Sequence, residues 1–421
     1  METSDPLSPH RRKIVTGFNR RTILAGLAAA APAAAAATGK APALARNLPD
    51  VTVVGAGAFG AWTALNLREA GAKVTLLDSY GPGNARQTSG DETRQIRAAY
   101  GDREIYTRWA TRAYQLWTER QAEFGRRMLF PNGVLSPEIS AADRAIQSGM
   151  FRRLGIPFEE LSPAECAKRW PQGRFEGDNI AFFEPRAGTV KARESIIAAA
   201  EAFVRKGGTS RIGMARIGAS AGGRMNELAL SDGTRLSTGT AIFACGPWLP
   251  KLFPALFAKR IKVGRYEVFY VGPAAGDLSY HWERFPNVWN ERGGYALSDV
   301  DYGYKVAPEG GYDIAIDPDE DQRLPSPFLI ENVHRFLARW APGLADRPIV
   351  AARVCAMEMA KGDDYVIDTH PGLDNVWVAG GGSGHAFKMG PATGEYIARR
   401  VLGIADPAEE KATFALAAHA G

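Results

Sequence analysis

The chain of 421 residues exceeds one typical domain, so its length predicts two domains that share a core. Its 45% hydrophobic and 23% charged residues are ordinary for a soluble globular protein, and its net charge of +5 is modest. The sequence has no basic and aromatic patch that favours nucleic acid as a partner, and no cysteine and histidine spacing that indicates a metal site.

Residues 1–45 are typical of a targeting segment and are excluded from the predicted fold. Residues 19–24, NRRTIL, resemble the twin-arginine export signal, and the Ala-rich residues 25–37 follow them. This run is shorter than the ~20 residues needed to cross a bilayer, which disfavours stable membrane insertion. The sequence predicts export by the twin-arginine machinery, to the periplasm or outside the cell; the alternatives are a disordered tail or an anchor.

Residues 51–60, VTVVGAGAFG, predict a buried strand that leads through a glycine-rich turn into a helix. In such dinucleotide fingerprints the first glycine makes the turn, the second admits the pyrophosphate and the third packs helix on strand. The next predicted strand, residues 74–77, ends at an aspartate that can accept a ribose hydroxyl. The alternative is a tight turn without a nucleotide. The expected contacts are Gly55, Gly57, Ala58, Phe59, Gly60, Asp78 and Ser79.

The remaining pattern alternates helices with strands. The helices are expected at residues 105–124, 195–205, 328–341 and 393–402. Two segments alternate apolar and polar residues between turns and predict an antiparallel sheet. The predicted fold class is therefore α/β, a Rossmann-like nucleotide-binding domain with an inserted antiparallel-sheet substrate domain (α+β). The predicted limits are 50–130, 190–262 and 340–403 for the first domain, 131–189 and 263–339 for the second, and 404–421 for a C-terminal tail.

Several separated blocks then follow in order. They are TRQIRAAYG (93–101), FEP (183–185) with Gly188, CGPW (245–248), GYK (303–305), the segment from Cys355 to Asp368, and SGHAFK (383–388). Together, over residues 50–403, they resemble the sarcosine oxidase-like FAD-dependent amine oxidases of the D-amino-acid-oxidase superfamily. The resemblance implies FAD as cofactor, with residues 55–78 at its adenine end and residues 353–388 at its ring end.

The resemblance also assigns roles to cofactor-binding residues. Cys355 matches the cysteine that bonds covalently to the 8-methyl position of the flavin; the alternative is a buried core thiol. Covalent attachment needs thiolate character, which a nearby cation such as Arg94 provides. The further cofactor contacts implied are Thr93, Arg94, Ile217, Gly246, Gly382, Ser383, Gly384, His385 and Lys388.

Three cations are the implied catalytic residues. Arg97 and Lys388 match the positions that hold the substrate carboxylate, and arginine offers a bidentate fork for it. Lys305 matches the lysine that lies near flavin N5, bridged by water, and assists oxygen reduction. The alternatives are structural ion pairs for Arg97 and Lys388 and a solvent-facing strand lysine for Lys305.

Departures from the family pattern concern the substrate side of the flavin. The loop 88–91 lacks a histidine that the family often has, Met357 replaces an aromatic residue, and Glu309 replaces a histidine. Methionine makes a softer, more apolar pocket, and Glu309 would add a negative charge if it faced the pocket. The expected substrate is therefore a secondary (N-methyl or cyclic) or primary amino acid other than sarcosine, oxidised at its C–N bond to an imine.

The electron acceptor and the class of function leave alternatives open. Lys305 favours oxygen, whereas an exported location is compatible with a quinone-linked amino-acid dehydrogenase. A non-catalytic exported flavin-binding protein is the second class. A nicotinamide-dependent dehydrogenase would account for residues 51–78 but would leave residues 353–388 without a role.

Overall fold

A six-stranded sheet carries the N-terminal glycine fingerprint in the computed structural model, which describes residues 48–290, 294–310, 314–404 and 407–420. The apolar strand Asp50–Val54 lies in the middle of this sheet, parallel to its neighbours on both sides. Only one edge strand, Val366–His370, is antiparallel. The spatial order is Val366–His370, Leu373–Gly380, Thr240–Phe243, Asp50–Val54, Lys73–Asp78 and Thr209–Ile212. This is the sheet of a Rossmann-like domain.

Close packing of small residues holds helices on this sheet. Helix Ala58–Glu69 contacts helices Ala192–Arg205 and Gly390–Val401. A Cβ added at Gly394 would lie 2.5 Å from the backbone carbon of Trp62, so only glycine lets the two helices approach this closely. Trp62 itself is completely buried. The other α-helices are Glu104–Phe124, Ala141–Leu154, Pro163–Arg169, Leu249–Leu252, Pro254–Phe257, Pro327–Trp340 and Ala408–Phe414.

An eight-stranded sheet forms the second layer of the fold. Its longest strands, Ile261–Val271 and Ile349–Ala360, pair antiparallel along their whole length, so that Cys355 lies opposite Tyr266. The spatial order is Ile349–Ala360, Ile261–Val271, Tyr304–Pro308, Gly294–Leu297, Asn287–Trp289, Val134–Ser136, Ala181–Glu184 and Glu159–Leu161. Only the Asn287–Trp289 and Val134–Ser136 pair is parallel.

Small sheets and short helices complete the described structure. The small sheets comprise Thr93–Ile96, Gly188–Lys191 and Leu129–Phe130; Ala215–Ile217, Glu227–Leu230 and Arg235–Ser237; and Ser220–Ala221 with Arg224–Met225. The 3₁₀ helices are Gly246–Trp248, Pro342–Leu344, Lys361–Asp363, Phe387–Met389 and Leu416–His419. Within the described ranges, no helix has both the length and the apolar character that a membrane crossing requires.

The predicted fold class, a Rossmann-like domain with an antiparallel-sheet domain, is confirmed. One strand is placed differently from the sequence-based assignment. Residues 349–360 were expected in the nucleotide-binding domain, but they pair in the eight-stranded sheet, because the apolar strand finds its partner in residues 261–271. The domain limits otherwise stay predictions, and the predicted targeting segment lies outside the described residues.

Candidate functional site

A cavity of about 590 Å³ extends from the carboxyl ends of the parallel strands to the eight-stranded sheet. Gly55, Asp78 and Gly246 line it from the first sheet, at the edge where ligands bind in open α/β sheets. Tyr266 and Cys355 line it from the second sheet. The cavity therefore joins the two glycine-rich segments of the sequence.

The glycine fingerprint has the backbone geometry that a pyrophosphate site requires. Gly55 has a φ of 101°, and a Cβ there would lie 2.3 Å from the carbonyl oxygen of Ala244. A Cβ at Gly60 would lie 1.8 Å from the carbonyl oxygen of Gly55, so Gly60 packs helix on strand and does not line the cavity. Gly57, Ala58 and Phe59 leave the helix N-terminus open to the cavity, where the helix dipole favours phosphate.

Asp78 lines the cavity but already accepts hydrogen bonds from the protein. Its Oδ2 accepts the N–H of Ala56 at 2.8 Å, and its Oδ1 accepts the N–H of Tyr80 at 2.8 Å. Each carboxylate oxygen also accepts a longer hydrogen bond from a side chain, Oδ2 from Gln87 at 3.2 Å and Oδ1 from Asn84 at 3.3 Å, and a ribose hydroxyl would replace one of these two amide donors. Asp78 thus also ties the glycine turn to the end of the second strand, and Ser79 beside it lines the cavity.

Besides Gly60, two more of the expected cofactor contacts lie outside the cavity lining. Ile217 packs against an apolar cluster beside the six-stranded sheet, while residues 213–215 line the cavity instead. The expectation for Ile217 is therefore not reproduced, because the cavity ends before this position in the strand. Thr93 is buried beneath the lining, and its carbonyl oxygen accepts a hydrogen bond from Lys305.

The second glycine-rich loop, at residues 382–385, lines the cavity as expected. Ser383 ties the loop to the second sheet, because its Oγ accepts the N–H of Ala360 at 3.0 Å. His385 lies between the carbonyl oxygen of Asp363, 2.8 Å from Nε2, and the hydroxyl of Tyr365, 3.2 Å from Nδ1. Burial and the charge of Lys388 lower the pKa of His385 to about 3. His385 is therefore neutral and positions the loop.

Cys355 lies at the cavity wall beside a buried cation. Its Sγ is 3.9 Å from an Nη of Arg94, and the residue is 4% exposed. Burial nevertheless raises the pKa of the Cys355 thiol, and Arg94 only opposes this effect. The expected nearby cation is present, but it does not by itself make the resting thiol a thiolate.

Lys305 does not line the cavity but belongs to a buried ion cluster behind it. Its Nζ donates to Oδ2 of Asp91 at 2.5 Å and to the carbonyl oxygen of Thr93 at 2.6 Å. Asp91 also pairs with Arg94 and accepts the hydroxyl proton of Tyr270 at 2.6 Å. Burial lowers the pKa of Lys305 to about 8, although the negative charge of Asp91 acts to raise it.

Asp91 and Tyr270 were missed as site residues. The only signal in the sequence was that Asp91 lies three residues before Arg94, just ahead of the block 93–101 that carries the family resemblance. Tyr270 had none, because it lies opposite Lys305 only through strand pairing. The solvent-facing alternative for Lys305 is wrong, since the side chain is 1% exposed.

Arg97 and Lys388 both line the cavity and face each other across Tyr100. The guanidinium of Arg97 lies 4.9 Å from the ring centre of Tyr100 and 4.3 Å from that of Trp289. Lys388 Nζ donates to the Tyr100 hydroxyl at 2.9 Å. Burial and the charge of Arg97 hold the pKa of Lys388 well below its usual value, while Glu184 opposes them.

Neither of these two cations forms an ion pair within the described part of the chain. Arg97 Nε is buried and without a hydrogen-bond partner there. Glu184 is used otherwise, since it accepts the N–H of Ala98 at 2.6 Å and that of Ala99 at 3.2 Å. Two neighbouring positive groups with spare donors fit an anionic ligand group such as a carboxylate.

Three aromatic residues, missed by sequence reasoning, line the cavity next to Arg97. The rings of Trp289 and Tyr295 are stacked at 6.0 Å, and those of Tyr295 and Tyr266 at 6.4 Å. The row arises because these residues lie on strands of the eight-stranded sheet. We name Trp289, Tyr295 and Tyr266 the aromatic wall.

The two unusual positions noted in the sequence have different places. Met357 lines the cavity, as expected, two residues after Cys355. Glu309 is exposed and does not line the cavity. The expected influence of Glu309 on the pocket is therefore wrong, because strand Tyr304–Pro308 ends before it and the chain turns to the surface.

Comparison with known proteins agrees with this geometry. Residues 50–400 match the DAO family, described as FAD dependent oxidoreductase. N-methyl-L-tryptophan oxidase of Yersinia pestis (strain Pestoides F) is 26% identical over 358 residues, which cover 83% of this chain and 94% of the relative. The same oxidase of Yersinia pseudotuberculosis serotype O:1b (strain IP 31758) matches with the same identity and the same coverage.

Solved structures share the fold. L-proline dehydrogenase from P. horikoshii superposes with a TM-score of 0.76 at 18% identity, covering 86% of this chain and 96% of that one. Fructosamine oxidase from Aspergillus fumigatus gives a TM-score of 0.75 at 21% identity, covering 88% and 89%. The cofactor prediction, FAD, and the prediction of an FAD-dependent enzyme of the amine oxidase type are confirmed. The chain belongs to the DAO family of FAD-dependent oxidoreductases.

Proposed function

We propose that this protein oxidises the C–N bond of an N-methyl or other secondary amino acid with a bulky, aromatic side chain. The proposal rests on one observation, which is that Arg97, Lys388 and the aromatic wall line the same cavity. The cations receive the substrate carboxylate, and the wall offers stacking surface for a ring. Relatives that act on N-methyl-L-tryptophan support this choice over sarcosine.

The chemistry needs little from the protein beyond orientation and charge. When bound, FAD would supply the acceptor for the hydride that leaves the substrate carbon, and its reoxidation by oxygen would yield hydrogen peroxide. The nitrogen lone pair forms the C=N bond, and water hydrolyses the imine to an aldehyde or keto acid and an amine. Arg97 and Lys388 hold the carboxylate so that the C–H bond is presented in one orientation.

Oxygen is the acceptor we favour. Lys305 and Arg94 place two cations around one carboxylate, that of Asp91, with Arg94 in the cavity wall and Lys305 directly behind it. Their net positive charge in a dry environment would stabilise the negative charge that develops on reduced oxygen.

Anaerobic titration of the purified flavoprotein tests the proposal. N-methyl-L-tryptophan and N-methyl-L-phenylalanine are expected to bleach the flavin faster than sarcosine, L-proline or L-tryptophan. Sarcosine as the best substrate would contradict the proposed pocket. A flavin that no amine reduces would point to a non-catalytic flavin-binding protein. Peroxide yield in air, compared with reduction of a quinone analogue, separates the two acceptors.

We also propose export by the twin-arginine route, on the strength of residues 19–24 and the run that follows. The route carries folded proteins, which suits a chain loaded with FAD before transport. Cell fractionation of the full-length protein should recover it outside the cytoplasm, and the double variant R20K/R21K should stay inside. Equal distribution of the two would refute export by this route.

A further inference from the structure

Glu358 brings a carboxyl group into the flavin cavity for which the proposed reaction has no use. It lies on strand Ile349–Ala360, three residues after Cys355, and it lines the cavity although the residue is only 5% exposed. Buried carboxylic acids are uncommon unless their atoms are paired. The position of Glu358 therefore needs a ligand or a partner.

The carboxyl group lies between two glycine backbones. Its Oε1 accepts the N–H of Gly382 at 3.3 Å. On the other side, a Cβ built on Gly246 would lie 3.1 Å from Oε2. Gly246 has a φ of 51°, in the region that favours glycine. Both glycines thus let cavity-lining backbone come close to this side chain.

One oxygen of Glu358 is left without a partner. Oε2 is buried and has no hydrogen bond to any residue that the structure describes. An unsatisfied buried polar atom costs folding free energy, which a hydrogen bond to a bound ligand recovers.

The environment favours the protonated form of this group. Burial raises the pKa of Glu358 to about 7, against the effect of the Gly382 N–H. The titratable group that faces it from the neighbouring loop is the thiol of Cys245, whose own pKa burial raises well above its usual value. A protonated carboxyl group is both a donor and an acceptor, and it carries no charge to repel a pyrophosphate.

We infer that Glu358 is a cofactor-binding residue whose protonated carboxyl group donates a hydrogen bond from Oε2 to an oxygen of FAD. Its place between Gly246 and Gly382 points to the middle of the cofactor, where the hydroxyl-bearing chain joins the pyrophosphate to the ring. The inference depends on FAD as the cofactor and not on which amine is oxidised.

Reversible binding of FAD to apoprotein tests this role. The parent is C355S, so that the flavin is not covalently held, and binding is followed by quenching of FAD fluorescence. Glu358→Gln keeps the volume and a donor and should bind within about threefold of the parent, whereas Glu358→Leu should bind about tenfold more weakly. Equal affinity of Glu358→Leu and the parent, or clearly tighter binding by Glu358→Gln, would overturn the inference.

Stability and pH distinguish a binding role from a structural one. Thermal unfolding of the apoproteins should show Glu358→Leu to be at least as stable as the parent, because an apolar side chain replaces a buried, partly unpaired carboxyl group. Affinity of the parent for FAD should fall as the pH rises above about 7, and that of Glu358→Gln should stay flat. An unstable apoprotein in both variants, with unchanged pH dependence, would show a structural role instead.

Discussion

Lys305 Nζ and Asp91 Oδ2 lie 2.5 Å apart, with the two side chains 1% and 0% exposed. Asp91 is shared with Arg94, so one carboxylate compensates two cations, Lys305 behind the flavin cavity and Arg94 in its wall. All acceptor sites of Asp91 are used, because Tyr270 and the N–H of Glu92 also donate to it. The aspartate therefore holds the cluster together, and the two cations depend on it.

This dependence predicts unequal effects of removing each partner. Asp91→Asn leaves Lys305 and Arg94 facing each other in the interior and should lower the free energy of unfolding by about 3–5 kcal/mol. Lys305→Met leaves Asp91 paired with Arg94 and should cost clearly less. Urea unfolding measures both, and the double variant should recover part of the loss. Equal losses in the two single variants would contradict the sharing of Asp91.

Removing a carboxylate-binding cation should weaken carboxylate binding without affecting FAD binding. Arg97→Met is expected to raise the Kd for benzoate about tenfold to a hundredfold, because a charge-assisted hydrogen bond is lost. The perturbation of the flavin spectrum on titration measures this. Arg112→Met is the matched control, since Arg112 pairs with Glu395 on the surface. An unchanged Kd in Arg97→Met would remove Arg97 from the carboxylate site.

The charge of Lys388 should make carboxylate binding depend on pH. Burial and Arg97 hold the pKa of Lys388 well below its usual value, and a bound carboxylate favours its protonated form and so raises this pKa. Binding therefore takes up a proton, and affinity is full below the pKa of the free site and falls as the pH rises through it.

Benzoate titrations from about pH 6 to about pH 9 measure this linkage, since benzoate itself stays ionised over that range. Lys388→Met should bind more weakly at low pH and lose the slope. Glu184, whose pKa burial raises to about 7, faces the same pair and remains in both proteins. A slope that persists in Lys388→Met would therefore belong to Glu184.

Covalent attachment of the flavin has a direct test. After denaturation in acid, flavin should stay with the wild-type polypeptide and be released from Cys355→Ser. Cys245→Ser is the matched control, because Cys245 is also a thiol that lines the cavity. Flavin released from the wild type would mean that Cys355 is a buried core thiol.

The aromatic wall predicts a change of substrate preference. Trp289→Ala should lower kcat/KM for N-methyl-L-tryptophan by about tenfold or more, because stacking surface is lost, and should affect sarcosine less. Trp289→Phe keeps a ring and should retain most of the preference. Equal losses for both substrates would assign Trp289 to the support of Arg97, whose guanidinium lies 4.3 Å from its ring centre.

Short patterns in the sequence determined much of the fold and part of the candidate site. The turn at Gly55 could be predicted from the sequence, because a short segment with a fixed backbone requirement carries it. The loop at residues 382–385, Arg97 and Lys388 were identified through the resemblance to a known family. The Rossmann-like fold followed from strands and helices that alternate along the chain. Lys305 was identified by its block, but its burial and its partner were not.

Only the tertiary structure decided which side chains contact one another in the candidate site. Tyr270 lies opposite Lys305 because residues 261–271 pair with residues 304–308. In the aromatic wall, Trp289 and Tyr295 pair across two consecutive strands, and Tyr266 joins them from a strand earlier in the chain. Strand pairing also placed Glu358 between two glycine loops and carried residues 349–360 into the second sheet. Glu309, which the sequence analysis had expected beside the substrate, lies at the surface instead. A sequence pattern shows which face a residue takes on its own element, but the neighbour across the sheet depends on long-range packing, which no local pattern specifies.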